Sequence, residues 1–123
     1  MILFDTSVLI AHLRGEPQAT EFLLRTPHHE RLASVLARTE IEGGMRSGER
    51  RPVGALFGVL LLLPVTDPIA QRAGAFLRTY RRSHTGIDLV DYVVAATAEV
   101  HGARLATLNV KHFPMFGDLV APW

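Results

Sequence analysis

The sequence predicts an α/β fold built on a mainly parallel sheet. Short apolar runs of strand length alternate with longer helical segments along the chain, and such alternation is typical of parallel α/β proteins. The first run, Ile2–Phe4, is continuously apolar, as expected for a strand that is buried on both faces. It is followed by Asp5, at the position where ligands collect in parallel sheets. We therefore expect functional residues at the carboxyl ends of the strands.

The other elements follow from apolar patterning and from residues that begin or end helices. Thr6 and Ser7 can cap a helix that begins near Val8. Asp67, as an N-cap, and the proline after it are typical of a helix start, and Gly102 is typical of a helix end. The predicted helices are Val8–Leu13, Ala19–Thr26, Leu36–Arg46, Val53–Leu60, Asp67–Arg82 and Asp88–His101. After Ile2–Phe4, the predicted strands are Arg31–Val35, Leu61–Val65, Ala103–Leu108 and a last edge strand, Leu119–Ala121.

Composition limits the class of protein. With 123 residues, we expect a single domain over residues 1–123. No apolar run approaches the roughly 20 residues of a membrane span, and the N-terminus does not resemble a signal peptide, so we expect a cytoplasmic protein without a membrane partner. The absence of cysteine excludes disulfides and cysteine metal sites. A net charge of +1 does not by itself indicate nucleic-acid binding, so such a role must rest on local sites.

Most of the twelve acidic residues have a simple structural explanation. Several lie in predicted loops or on solvated faces, and Glu42 can pair with Arg38 or Arg46 on its own helix. The acids that need a further explanation are Asp5, Glu40, Asp88 and Asp91.

Glu40 has no basic residue three or four positions away on its helix. Its neighbours include Gly43 and Gly44, and two glycines cost a helix roughly 1 kcal/mol each relative to alanine. They would be tolerated if another backbone approached them closely. Glu40 is therefore either a solvated residue at the helix edge or a site residue.

Asp91 also lacks a basic neighbour on its helix. One interpretation is a capping box, with Asp88 as the N-cap and Asp91 at the third helical position; for Asp88 this interpretation is favoured. For Asp91 we favour a site role, because its helix is apolar almost all round and a buried carboxylate is costly without a compensating partner. Three such carboxylates would suit Mg²⁺ or Mn²⁺.

A second polar segment follows the predicted strand Ala103–Leu108. Thr107 and Asn109 lie at its end, as Asp5 does on the first strand, although an ordinary turn also explains the asparagine. His112 is one of six histidines and is expected to be structural or peripheral. The basic loop Arg46–Arg51 is either a solvated loop or a phosphate-binding segment.

Taken together, these segments resemble the PIN-domain ribonucleases, most closely the VapC-type toxins of toxin–antitoxin pairs. Four motifs in the family's order carry the resemblance over nearly the whole chain: Phe4–Ile10 (FDTSVLI), Thr39–Gly44 (TEIEGG), Asp91–Ala98 (DYVVAATA) and Leu108–Phe113 (LNVKHF). The resemblance implies a three-layer α/β/α sandwich and metal-dependent cleavage of RNA. It also implies a VapB-like antitoxin protein that covers the site, and a homodimer.

Carried over by position, Asp5, Glu40 and Asp91 resemble the family's catalytic acidic triad. Asn109 falls where many members carry a fourth acid, which leaves the number of bound ions open. Asp88 could supply the missing charge. All five residues are therefore expected ligands of Mg²⁺ or Mn²⁺.

Ser7 and Thr107 resemble the polar residues that support the family's site. In the expected mechanism, a bound metal ion activates water for attack on a phosphodiester, and the helix start after Ser7 adds backbone N–H groups near the anion. Two alternatives are a PIN-like module that binds RNA or protein without cutting it, and a nuclease that acts on DNA. The apolar face of Val53–Leu60 could form a dimer contact, although packing in the core would explain it equally.

Overall fold

In a computed structural model that describes residues 1–123, four parallel strands form a single sheet with the order β3-β2-β1-β4. The strands are β1 (Ile2–Phe4), β2 (Arg31–Ser34), β3 (Leu61–Leu63) and β4 (Arg104–Ala106). Because all four strands point the same way, their carboxyl ends form one edge of the sheet. The predicted α/β class is confirmed.

Helices cover both faces of the sheet. They are α1 (Thr6–Leu13), α2 (Pro17–Arg25), α3 (Val35–Gly44), α4 (Arg50–Gly58), α5 (Asp67–Tyr80) and α6 (Leu89–His101). Successive residues of β1 serve opposite faces, since Leu3 belongs to the apolar cluster under α5 and α6 while Phe4 belongs to the cluster under α1 to α4. This two-sided burial explains the continuous apolar run, and the three-layer α/β/α sandwich is confirmed.

Helices α5 and α6 pack against each other in opposite directions. Arg72, in the first half of α5, forms a two-point ion pair with Glu99, in the last turn of α6. The C-terminal end of α5 therefore lies beside the beginning of α6. No helix of the protein has the length and apolar character that crossing a bilayer requires.

Two predicted helix caps were wrong. Helix α5 is capped by Thr66, whose Oγ1 accepts a hydrogen bond from the backbone N–H of Ile69 at 3.4 Å, and Asp67 is instead its first residue. Helix α1 begins at Thr6 with Asp5 in the N-cap position. The hydroxyls of Thr6 and Ser7 do not cap this helix, because both donate hydrogen bonds to carboxylates.

Two further local predictions were wrong. No strand forms at Leu119–Ala121; Leu119 lies instead beside the edge strand β4, lining a cavity with Leu105. No atom would lie within 4 Å of a Cβ added at Gly43 or Gly44, so these glycines do not mark a close backbone approach. They form the exposed end of α3.

The apolar face of α4 is part of the core. Val53, Leu56 and Phe57 are buried in the cluster under α1 to α4. Core packing thus accounts for this face, and a dimer contact is not needed to explain it.

Candidate active site

Asp5 lies at the carboxyl end of β1 and is only 6% exposed. Its backbone N–H donates to the carbonyl of Ala106 at 2.9 Å, which ties the end of β1 to the end of β4. Its Oδ2 accepts hydrogen bonds from Ser7 Oγ at 2.8 Å and from Thr107 Oγ1 at 2.7 Å. Its Oδ1 accepts none, so one carboxylate oxygen is fixed by the protein and the other is left for a ligand.

The two hydroxyls that bind Asp5 are themselves oriented by the backbone after β4. The N–H of Leu108 donates to Ser7 Oγ at 3.0 Å, and the N–H of Asn109 donates to Thr107 Oγ1 at 3.0 Å. Because each hydroxyl accepts from a backbone N–H, its single proton is directed to Asp5. Both predicted supporting residues therefore contact the acid that they were expected to support.

Glu40 is joined to the same region through α1. Its Oε1 accepts a hydrogen bond from Thr6 Oγ1 at 2.7 Å, and Oε2 accepts none. Glu42, two residues further along α3, pairs with Arg38 as predicted, at 2.6 Å. Glu40 has no cationic partner, and its side chain is exposed.

Asp88 and Asp91 form the predicted capping box at the start of α6. The N–H of Asp91 donates to Asp88 Oδ1 at 3.0 Å, and the N–H of Asp88 donates to Asp91 Oδ2 at 3.2 Å. The capping interpretation is confirmed for both residues. It does not exclude a site role, since Asp91 Oδ1 and Asp88 Oδ2 accept no hydrogen bond.

The environment of Asp91 disfavours its charge. Burial raises the pKa of Asp91 to about 6; the negative charges of Asp88 and Asp5 add to the rise, while the Asp88 backbone N–H and the His112 side chain oppose it. The Asp91 side chain is 15% exposed. Because the charge of Asp5 raises the pKa of Asp91, the two carboxylates are near enough to repel each other. Asp5 and Asp91 thus form a negatively charged pair that a cation would stabilise.

His112 is a site residue that the sequence did not reveal. It ends a short 3-10 turn, Val110–His112, after β4, and its Nδ1 lies 3.2 Å from Asp91 Oδ2. The expected structural or peripheral role of His112 stays a prediction, and the contact adds that His112 lies beside a predicted site residue. Helical spacing could not show this contact, because His112 and Asp91 belong to different elements.

The donor set suits a hard divalent cation, although the acids are not gathered into one cluster. No three acidic or histidine side chains lie close enough together to hold one ion. Mg²⁺ usually binds through one or two carboxylates and keeps several waters, so the unengaged oxygens of Asp5 and Asp91 are an adequate set. Asn109 has an exposed side chain that makes no hydrogen bond. Glu40 contacts Thr6, the residue that follows Asp5 in the chain, and bonds to neither Asp5 nor Asp91.

A groove of about 750 Å³ lies next to Glu40, between α1, α3 and the start of α4. Its lining includes Ile10, Ile41 and Val53 together with the charged residues Arg14 and Arg46. Neither Asp5 nor Asp91 lines it. The groove therefore meets the acidic site only at Glu40, and Asp5 and Asp91 lie outside the groove.

The position of the acids in the sheet defines the class of protein. From β1 the chain builds the sheet outwards through β2 to β3 and then crosses to the other side of β1 to form β4. Asp5 and Thr107 follow β1 and β4, at the point where the strand order reverses, which is where α/β sheets bind ligands. The protein is thus an α/β/α domain with an acidic site at its topological switch point.

The chain belongs to the PIN-domain family, since the model of the PIN domain matches residues 2–114. It is 51% identical over 124 residues to Ribonuclease VapC10 of Mycobacterium tuberculosis, covering 100% of this chain and 93% of that protein. Identity to Ribonuclease VapC19 of the same organism is 46% over 125 residues, with 100% of both proteins covered.

Solved structures with 25% sequence identity or more share the fold, and two of them cover nearly the whole chain. A toxin–antitoxin complex from Klebsiella pneumoniae contains a chain with a TM-score of 0.83 and 28% identity, covering 100% of this chain and 98% of that one. VapBC-1 from nontypeable Haemophilus influenzae gives a TM-score of 0.76 and 25% identity, covering 97% and 95% of the two chains. The predicted resemblance to the VapC-type PIN proteins is confirmed.

Proposed function

We propose that this protein is an endoribonuclease that hydrolyses RNA phosphodiester bonds with a divalent metal ion, as the toxin of a toxin–antitoxin pair. The observation that carries the proposal is the arrangement of Asp5 and Asp91. Each carboxylate is held through one oxygen and presents the other unengaged, at the ligand-binding edge of the sheet. Full-length similarity to two proteins named ribonucleases supports the same activity.

Asp5 and Asp91 are the proposed principal metal ligands. Glu40, Asp88 and Asn109 are proposed as further oxygen donors to Mg²⁺ or Mn²⁺ through its bound waters, because no third acid lies close enough to share one ion directly. A divalent ion bound there would supply a water of lowered pKa and offset the charge that builds on the phosphate. The pKa of Asp91 is raised first by burial and then by the charges of Asp88 and Asp5, which supports this assignment because a bound cation would stabilise the ionised carboxylate.

The chain's own groups hold and orient the reacting region. Ser7 and Thr107 fix the carboxylate of Asp5 by donating to a single oxygen, which keeps the other aimed at the ligand. Glu40 is held by Thr6 outside the Asp5–Asp91 pair and is the proposed acceptor of the proton that the attacking water loses. Asp5, Glu40 and Asp91 are thus the proposed catalytic residues.

The partners follow from the same comparisons. The structures with 25% or more identity include a toxin–antitoxin complex and VapBC-1, which supports a VapB-like antitoxin protein as the partner of this chain. We also propose that residues 1–123 act as one domain, that the protein is a homodimer, and that it works in the cytoplasm, where its RNA substrate is found.

The decisive experiment is cleavage of end-labelled RNA by the purified protein with Mg²⁺ or Mn²⁺, with and without a chelator. Asp5→Asn should lower the cleavage rate by a factor of at least about 100, because it removes a charged ligand at the centre of the site. Asp118→Asn, an exposed acid outside the site, is the matched control and should cleave at the wild-type rate. Full activity of Asp5→Asn, or activity in excess chelator, would contradict the proposal.

A second candidate function is a module that binds RNA or protein without cutting it. The neutral Asn109, where many family members carry an acid, favours this alternative. Binding of RNA without cleavage in Mg²⁺ or Mn²⁺ would support it. A single-stranded DNA of the same sequence, assayed in parallel, distinguishes an RNA-specific enzyme from a nuclease that accepts DNA.

A further inference from the structure

The proposed mechanism makes no use of a group of arginines at the C-terminal end of α5. Arg78 lies in the last turn of that helix, and Arg81 and Arg82 follow it directly. All three side chains are exposed, and none forms an ion pair: the salt bridges of the protein involve other residues. We refer to these three residues as the α5 arginines.

The direction of α5 places these arginines at the same end of the molecule as the acidic site. The Arg72–Glu99 ion pair joins the first half of α5 to the last turn of α6, so α5 ends where α6 begins. Helix α6 begins with the Asp88–Asp91 capping box. The chain therefore passes from the α5 arginines to the site acids through the short loop of residues 83–87.

The backbone that carries the α5 arginines is anchored. Tyr80 packs against the core cluster under α5 and α6, and its ring meets that of His84 edge to face at 5.5 Å. The N–H of His84 donates to the carbonyl of Tyr80 at 2.9 Å, and the N–H of Arg81 donates to the carbonyl of Leu77 at 2.9 Å. The three cations are thus presented from a fixed turn.

Interaction with the helix dipole explains only part of this cluster. A cation in the last turn complements the partial negative charge of a helix C-terminus, and this accounts for Arg78. It does not account for two more unpaired arginines beyond the helix. A polyanion that approached Asp5, Asp88 and Asp91 would be repelled by these acids, so it needs cations nearby, and the net charge of +1 supplies no general attraction.

We propose that the α5 arginines bind backbone phosphates of the RNA strand beside the acidic site. This inference rests on the proposed ribonuclease function and names the surface that holds its substrate. A guanidinium binds a phosphate through two parallel N–H groups, and such contacts position the strand without reading its sequence. The α5 arginines thus set the affinity and register of the RNA, while the acids act on one bond.

The test measures binding of a fluorescent 20-nucleotide single-stranded RNA to the Asp5→Asn protein at several salt concentrations. In this background, Arg81→Ala/Arg82→Ala should weaken binding at least about tenfold at low salt. The slope of log K against log salt should fall by about 1.4, since each phosphate contact on a single strand contributes about 0.7. Arg81→Lys/Arg82→Lys keeps the charges and should retain most of the slope.

The matched control is Arg25→Ala/Arg104→Ala in the same background. These two arginines are exposed and together line a cavity at the opposite end of the sheet, beside the start of β4, so the control removes the same charge elsewhere. It should keep the parent slope. Equal slopes for the two double variants, or an Asp5→Asn protein that binds no RNA, would overturn the arginine proposal.

An RNA cleavage assay of the same arginine variants with Asp5 unchanged distinguishes failure of this inference from failure of the proposed function. Cleavage combined with slopes that do not depend on the α5 arginines overturns only the arginine proposal. Arginine-dependent binding without cleavage overturns only the enzyme proposal. If Arg81→Ala/Arg82→Ala keeps full RNA affinity but loses inhibition by the antitoxin protein, the surface binds protein and the arginine proposal is wrong.

Discussion

At the scale of single residues, hydroxyl groups hold one oxygen of Asp5 and one of Glu40 and leave the other oxygen of each carboxylate free. Ser7 and Thr107 both donate to Oδ2 of Asp5, and Thr6 donates to one oxygen of Glu40. Partners of this kind hold a ligating group in one orientation, and their loss typically lowers metal affinity or activity 10- to 100-fold. Of the two residues that donate to Asp5, Thr107 is the better one to substitute because it is fully buried.

Replacing Thr107 with valine should lower RNA cleavage by a factor of about 10 to 100. Valine keeps the shape of threonine but removes the donor to Asp5, and it leaves the N–H of Asn109 without its acceptor, which costs about 1–2 kcal/mol of stability. Steady-state cleavage at several Mn²⁺ concentrations, with a thermal melt of the same samples, measures both effects. Thr39→Val, on the exposed face of α3, is the control and should change neither quantity appreciably.

Asp91→Asn should make the metal-free protein more stable at pH 7.5 while abolishing activity. The pKa of Asp91 is raised to about 6, so above that pH the folded protein carries a carboxylate that its surroundings disfavour. Asparagine removes the charge, and its side-chain oxygen can still accept from the N–H of Asp88. We expect a gain of about 1 kcal/mol, less than the full electrostatic value because solvent screens the partly exposed side chain.

The sign of this effect can be checked by its pH dependence. Stability that depends on neutral Asp91 is fully present below the unfolded-state pKa near 4 and is lost as pH rises through about 6. The two proteins should therefore have similar unfolding free energies at pH 4 and differ most above pH 7. A difference that is already complete at pH 4 would show that the charge of Asp91 is not its cause.

At the scale of elements, both ends of α6 were predicted correctly because each carries a local sequence signal. Asp88 and Asp91 form the capping box, and Gly102 adopts a left-handed conformation with φ of 62°. Both signals are local, since each depends on residues within one turn. The N-cap of α5 was assigned to the wrong residue for a similar local reason, because Thr66 and Asp67 are adjacent residues that both cap helices well.

Two glycine substitutions should change stability in opposite directions. Gly102→Ala should destabilise the protein by about 1 kcal/mol, because a side chain in the left-handed region is strained. Gly74→Ala, within α5, meets no atom within 4 Å and should stabilise by up to about 1 kcal/mol. Chemical denaturation of both variants measures these changes. Equal effects of the same sign would contradict the assigned backbone conformations.

At the scale of the whole molecule, sequence analysis could predict contacts within one element but not contacts between separate elements. Helical spacing showed that Glu40 and Asp91 lack basic neighbours on their own helices. It could not show the contacts of Glu40 with Thr6, of Asp5 with Thr107, or of Asp91 with His112, because each of these joins separate elements. The strand order likewise brings the ends of β1 and β4 together, although they are far apart in sequence.

The missing fifth strand also reflects the whole fold. Leu119–Ala121 has apolar residues suited to a strand, but it lies beside the edge of β4 without joining the sheet. Pro122 follows it directly, and proline has no N–H to donate to a neighbouring strand. The family resemblance correctly gave the sandwich and the order of the motifs. The number of strands and the precise contacts of the acids required the structure.

The charge balance of the site links metal binding to the stability of the entire domain. A ligand that binds only the folded state stabilises it by about 2.7 kcal/mol at 100 times its dissociation constant, which corresponds to a rise of several degrees in melting temperature. We expect Mn²⁺ to produce such a rise in the wild-type protein. Asp5→Asn should reduce it strongly, since Asp5 is a proposed principal ligand.

The same linkage predicts a reversal in the order of stabilities. Without metal at pH 7.5, Asp91→Asn should melt above the wild-type protein, because it lacks the unneutralised carboxylate. With saturating Mn²⁺, the wild-type protein should melt above Asp91→Asn, because only the wild-type protein retains both charged ligands. Thermal melts of the two proteins over a Mn²⁺ titration measure the crossing. If the two curves stay parallel, the ion binds elsewhere and Asp91 is not one of its ligands.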